Sequence, residues 1–221
     1  MRPVLFLNFK TYAEATGAKA VALAKAAEKV SKASKCKIVL VPQAVDIGTV
    51  ASSSSLEIFS QHIDPVTYGS HTGSVLPEAV KSAGASGTIT NHAEDRQGTE
   101  FISACVKRAR EAHLKIMLCA ETPKRAAELA RLGPDFIAIE PPELIGGKLS
   151  VSTAKPEVIS AAVAAVHAVA RIPVIAGAGI NSAEDVKKSL ELGASGVFVS
   201  SAVVKAKNPA EKLKELLCGF G

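Results

Sequence analysis

Short apolar runs recur along the whole chain, and between them lie segments whose apolar residues fall at helical spacing. The runs are Val4 to Phe9, Ile38 to Val41, Leu56 to Ser60, Thr88 to Asn91, Ile116 to Cys119, Phe136 to Glu140, Val174 to Ala176 and Val197 to Ser200. Each has the length of a strand, and apolar residues on consecutive rather than alternate positions predict burial on both faces. Helical spacing covers Ala18 to Val30, Glu100 to Ala112, Lys124 to Leu132, Glu157 to Ala170 and Ala183 to Leu192. Gly133 and Gly193 punctuate helix ends, and Asn181-Ser182-Ala183-Glu184 offers a capping residue followed by an acid. Alternating strands and helices joined by right-handed crossovers make a parallel sheet, and eight such units predict an α/β fold, a closed (β/α)8 barrel in a single domain over residues 1–221. A doubly wound open sheet is the alternative; it usually has fewer units and a glycine-rich first turn, whereas the first turn here reads Asn8-Phe9-Lys10-Thr11-Tyr12. Ser52 to Ser55, the one low-complexity patch, is expected to be a solvated connection.

In a barrel of this kind the C-terminal strand ends form one rim, so polar residues that follow the apolar runs become neighbours. The rim is expected to carry Asn8, Lys10, Gln61, His62, Asn91, His92, Glu94, Glu121, Glu140, Gly177, Gly179, Ser200 and Ser201. Glu140 closes a buried strand and is followed by Pro141-Pro142-Glu143-Leu144-Ile145-Gly146-Gly147, a stiff stem with a pliable far end, as in a lid beside a carboxylate base. The loops around Gly179 and around Ser200 and Ser201 run into helices through small residues, which lets backbone amides face an anion. Lys10 adds a positive charge across the rim, and a helical turn from Ala93 would disfavour charge on His92. Taken singly, these are ordinary features: a loop acid, a packed histidine, tight turns. Their collection on one rim points to chemistry on a small phosphorylated molecule.

With 221 residues, 48% of them hydrophobic, one well-filled core is expected. No apolar stretch approaches the roughly 20 residues of a membrane span, and Met1-Arg2-Pro3-Val4 lacks the order of a secretion signal, so a cytoplasmic protein without membrane partners is expected. Cys36, Cys105, Cys119 and Cys218 are widely separated and are expected to be reduced thiols, mostly in the core. The net charge of +5 and the pI near 9.0 raise the question of nucleic acid, but the lysines are scattered and aromatic residues make up only 4% of the chain. No nucleic-acid partner is expected, and the positive field suits a small anion equally well. His62, His71, His113 and His167 lack the spacing of metal ligands, so neither metal nor cofactor is expected.

The stretches Asn8-Phe9-Lys10-Thr11-Tyr12, Gln61-His62-Ile63-Asp64, Gly69-Ser70-His71-Thr72-Gly73, Asn91-His92-Ala93-Glu94, Glu140 to Gly146, Gly177-Ala178-Gly179-Ile180 and Val203-Val204-Lys205-Ala206 span the chain in order. Together they resemble the triosephosphate isomerases, in particular the archaeal short-chain branch. The resemblance implies interconversion of dihydroxyacetone phosphate and D-glyceraldehyde 3-phosphate, in glycolysis and gluconeogenesis. It makes Glu140 the base and His92 the neutral electrophile, a pairing long established for this family. Lys10 would stabilise the enediolate and phosphate charge, Asn8 would help place the substrate, and Glu94 would support Lys10. Residues 141 to about 151 would form the lid, with Ile145 and Gly146 at its phosphate-facing tip, and Gly179, Ser200 and Ser201 would complete the phosphate cup. The loop at 64–73 would be an arm reaching into a second subunit, with Thr72 near the partner's active site, in a dimer or a tetramer of dimers.

Three departures from the family pattern stand out. Ala93 replaces a serine that can hold the resting base, Gly147-Lys148-Leu149-Ser150 replaces the usual hinge, and Ser200-Ser201-Ala202 replaces a more glycine-rich turn. Two rival readings remain open at this point. A sugar-phosphate epimerase would need metal-binding His and Asp residues at strand ends, and a non-catalytic polyanion binder would need neither base nor electrophile.

Overall fold

The computed structural model describes residues 2–141 and 150–221, and in it eight parallel strands close into a barrel in sequence order. They are β1 (Val4–Asn8), β2 (Lys37–Val41), β3 (Glu57–Ser60), β4 (Gly87–Thr90), β5 (Lys115–Ala120), β6 (Phe136–Ile139), β7 (Val174–Ala176) and β8 (Gly196–Val199). Closure comes from β1 pairing with β8, Val4 opposite Gly196 and Leu7 opposite Val199. The helices among the described residues are α1 (Ala18–Ser31), α2 (Ile47–Ser53), α3 (Pro77–Ser82), α4 (Thr99–Glu111), α5 (Pro123–Ala130), α6 (Val151–Ala154), α7 (Pro156–His167), α8 (Ala183–Glu191), α9 (Ser201–Val204) and α10 (Pro209–Cys218).

The consecutive apolar residues of each strand divide between two cores. On β1, Leu5 and Leu7 join the layer between barrel and helices, while Val4 and Phe6 point into the barrel with Val39, Phe59, Ile89, Met117 and Phe198. Side chains alternate along a strand, so extending the inward set past the last apolar residue brings Asn8, Gln61, Asn91, Glu140 and Gly177 to the inner edge of the C-terminal rim. The opposite end is packed with aromatic rings. Phe6 meets Phe59 and Phe136 edge to face with ring centres 5.3 Å apart. Below them Glu57 is bound by both Lys37 and Lys115, whose bond measures 2.9 Å. Phe6 and Phe59 are buried, and burying a phenylalanine contributes about 1.5–3 kcal/mol, so this end adds to the hold on the closed barrel.

Two expectations are corrected here. Ser52 and Ser53 belong to the end of α2, where their hydroxyls return to the carbonyls of Gly48 and Val50, and only Ser54 and Ser55 form the connection. No helical turn starts at Ala93; His92 to Asp95 is a single turn closed by Asp95 N–H on the His92 carbonyl, and α4 begins at Thr99.

Candidate active site

Glu140 follows β6, and its amide donates to the Ala120 carbonyl, so β5 holds the backbone at the carboxylate. Gly177, the next inward position after β7, donates in turn to the Ile139 carbonyl. A side chain at 177 would place its first carbon 2.5 Å from Glu140 Cγ; the carboxylate occupies the space that the glycine leaves. Glu140 is 5% exposed, and its Oε2 is buried without a hydrogen-bond partner among the described residues. Its Oε1 lies 3.6 Å from His92 Nε2.

His92 is oriented by its own turn. The Glu94 N–H donates to His92 Nδ1 at 3.1 Å, which leaves Nε2 to carry the proton and face Glu140. The ring also meets Phe198 edge to face, 6.1 Å between centres. Burial opposes charge on both members of the pair, and the bond and attraction between them work the other way, raising the His92 pKa and lowering that of Glu140. An imidazolium would have to turn an Nδ1–H against the Glu94 N–H, so the hydrogen-bond pattern favours a neutral ring beside an ionised carboxylate. The Cys119 thiol lies beside the same carboxylate; burial first, then that negative charge, push its pKa well up and keep it protonated.

Lys10 sits in the left-handed region at φ 48, uncommon for a residue with a side chain. The Asn8 side chain accepts from Lys10 N–H at 2.9 Å, and Gln61 Nε2 donates to the carbonyls of Lys10 and Val41, each at 3.1 Å. Asn8 therefore braces Lys10 as well as lining the cleft. Lys10 Nζ reaches Glu94 Oε1 at 2.6 Å. Asn91 and Ala178 are left-handed too, at φ 65 and φ 71, so three of the four such non-glycine residues among those described stand on this rim. Local strain gathers where side chains must be aimed.

The cleft brings together Asn8, Lys10, His92, Glu140, Gly179, Ser200 and Ser201. Gly179 is left-handed at φ 70, and Ser201 opens α9, whose first amides have no acceptor within the helix. Glu121 stands in an adjoining hollow with Ala93 and Arg96. Thr72 is exposed on the 64–73 loop, away from the cleft. Ile145 and Gly146 lie outside the described residues. Among those described, no group of three or more His, Cys, Asp or Glu side chains is placed to hold a metal ion. Cys119, Phe198 and Asp185 are the members that sequence reasoning did not select. The inward parity of β5 and β8 would have found Cys119 and Phe198, and the capping-box spacing Ser182-Ala183-Glu184-Asp185 would have found Asp185, which bonds the Asn181 and Ser182 amides beside the cleft.

The sequence model of the family described as "Triosephosphate isomerase" matches residues 3–216. A triosephosphate isomerase of Methanothermus fervidus is 46% identical over 217 residues, covering 98% of this chain and 98% of that protein. One from Saccharolobus solfataricus is 45% identical over 215 residues, covering 97% and 95% respectively. The crystal structure of triosephosphate isomerase from Bartonella henselae superposes with a TM-score of 0.76 at 20% identity, covering 100% of this chain and 99% of that one, which is a likeness of fold.

Proposed function

Because the chain belongs to the triosephosphate isomerase family, an aldose–ketose isomerase, we propose that Glu140, His92 and Lys10 are the groups with which it moves a proton between two carbons of a triose phosphate. The observation that carries this assignment is the 3.6 Å approach of His92 Nε2 to Glu140 Oε1, with Nδ1 engaged by the Glu94 amide. Glu140 takes a proton from one carbon of the substrate while His92 Nε2–H donates to the neighbouring carbonyl oxygen. Protonated Glu140 then returns the proton to the other carbon of the resulting enediolate, while the hydroxyl proton moves from one substrate oxygen to the other by way of His92 Nε2. Against the opposing effect of burial, the bond and charge of His92 lower the Glu140 pKa and keep the carboxylate ionised at neutral pH, ready to accept a proton.

Lys10 places positive charge where the enediolate oxygen and the phosphate carry negative charge, and Glu94 holds that lysine in reach. Asn8 acts chiefly by bracing the Lys10 backbone. Gly179, Ser200 and Ser201 receive the phosphate through backbone amides, helped by the positive end of the helical turn that Ser201 opens. The assigned contributions of Ile145 and Gly146 belong to the part of the loop outside the described residues. Glu140→Gln should lower kcat by about 10²–10⁴-fold, the usual contribution of a positioned base. Its melting temperature should stay near that of the parent. Unchanged turnover in that variant would overturn the assignment of the base.

The 64–73 loop carries the proposed self-association, as a dimer or a tetramer of dimers. It is a braced arm: Val75 N–H donates to Asp64, and Arg108 Nε donates to the Val66 carbonyl at 2.8 Å. Tyr68 on this arm is 75% exposed and Val45, on the connection after β2, is 83% exposed; both are apolar surfaces suited to cover by a second copy. Thr72 would then reach the partner's cleft. Sedimentation at micromolar concentration should give a dimer or larger, and a monomer for the unmodified protein would end this reading. No helix among the described residues is long and apolar enough to cross a membrane. The free thiols at Cys36, Cys105 and Cys119 suit the reducing cytoplasm in which we place the reaction.

A further inference from the structure

We propose that Asp185 is a positioning residue for the phosphate end of the site, holding the backbone from Ala178 to Ser182 so that it faces the ligand. The proposal rests on the reading of that loop as part of the phosphate cup. Asp185 is in the first turn of α8, where a capping box needs only its exchange with Ser182: Asp185 N–H to Ser182 Oγ at 3.2 Å, and Ser182 N–H to Asp185 Oδ2 at 3.0 Å. The carboxylate does more than this. Oδ2 also accepts the Asn181 N–H at 3.0 Å, and Oδ1 accepts hydroxyls from Ser150, Ser152 and Thr153 on a different element, the start of α6.

The same two segments are tied a second time, by Val151 N–H on the Ala178 carbonyl at 3.1 Å. The five residues from Ala178 to Ser182 are thus held at both ends, by α6 at Ala178 and by Asp185 at Asn181 and Ser182. Between these ties lie two successive left-handed residues, Ala178 at φ 71 and Gly179 at φ 70. For alanine that conformation costs on the order of 1–2 kcal/mol, so the loop relaxes unless outside bonds impose it. Ala178, Gly179, Ile180 and Asn181 all line the cleft. The ties therefore act on the backbone that meets the ligand.

A carboxylate suits this position because each of its partners there donates. The side chain of asparagine can replace it with one rotation fixed: its carbonyl oxygen toward the amides of Asn181 and Ser182, and its NH2 toward the Ser150 and Thr153 hydroxyls, which accept as readily as they donate. Alanine replaces neither half. The two variants separate the clasp from simple helix capping.

The experiment compares the full-length parent, Asp185→Ala and Asp185→Asn by steady-state kinetics with triose phosphate, by competitive inhibition with inorganic phosphate, and by melting temperature. In Asp185→Ala the KM and the inhibition constant for inorganic phosphate should both rise, by about tenfold, while kcat stays within about threefold. Asp185→Asn should recover most of the loss. A lower melting temperature in Asp185→Ala with KM and phosphate inhibition unchanged overturns the proposal and leaves a helix cap only. Should Asp185→Ala fail to fold, the triple variant Ser150→Ala/Ser152→Ala/Thr153→Ala removes every hydroxyl on Oδ1, leaves the α8 capping box whole and must raise the phosphate inhibition constant; no rise overturns the proposal equally. A parent protein without triose phosphate turnover would refute the parent reading instead, so the two failures are distinguishable.

Discussion

Replacing Gly177 by alanine should disable the base without touching any group that does chemistry. The added carbon would stand 2.5 Å from Glu140 Cγ, 2.9 Å from Oε1 and 3.0 Å from Cδ, where ordinary contact begins near 3.4 Å. Backbone retreat at 177 is opposed by its N–H bond to the Ile139 carbonyl, 3.0 Å, inside the barrel. Gly177 is not among the left-handed residues, so alanine brings no conformational strain of its own and the clash is isolated. Relief comes from the Glu140 side chain, by roughly 1 Å, and a misplacement of that size costs about 100-fold in rate. On the barrier this is about 2.7 kcal/mol. The assay is turnover in both directions in a coupled system, beside inhibition by inorganic phosphate, which should shift less than about threefold because the phosphate loop is untouched. A Gly177→Ala protein with kcat within about twofold of the parent would refute the claim that glycine makes room for the base.

Two further outcomes follow from the electrostatics. In the protein with a phosphate-bearing inhibitor bound near pH 7.5, nitrogen NMR of labelled histidine should find His92 protonated on Nε2 and bare on Nδ1, as the Glu94 amide requires; a doubly protonated ring would sink the electrophile assignment. At the other end of the barrel Glu57 is held near pKa 2: burial raises it, but the bonds from Lys37, Lys115 and Ser86 prevail. A depressed carboxyl stabilises above its unfolded value of about 4.3 and ceases to as pH falls toward 2, so Glu57→Gln should cost about 1–2 kcal/mol at pH 7, after discounting for solvent, and almost nothing near pH 2. A deficit that is equal at both pH values would refute the linkage.

The barrel was legible because its strands are apolar on consecutive positions, a pattern that survives without any knowledge of partners. β7 ran over the predicted residues, Val174–Ala176, and the other strands moved by one residue at one or both ends. The helices α2, α3 and α6 escaped because they are short, and α10 was missed although it is longer than α5 and α8. For α10 a signal existed: Asn208 caps it, accepting from Glu211 N–H, and Pro209 occupies its first position. The rim was legible for the same reason as the strands, since each functional side chain follows directly where an apolar run stops. What could not be read was anything that depends on two distant segments meeting: the hollow at Gly177 that receives Glu140, the bracing of Lys10 by Asn8, and the hydroxyls that α6 sends to Asp185. The turn at His92 was misjudged as helical, yet its Glu94 amide delivers the polarity that a helix end was expected to supply.

The phenylalanine plug and the Lys37–Glu57–Lys115 bridge sit at the far mouth of the cylinder from the reacting groups. Folding robustness and chemical aptitude are thereby stationed at opposite ends of one object, joined by strands only a few residues long. Substitution in the upper loops therefore leaves the lower stopper, and the contacts it adds to the closed barrel, untouched.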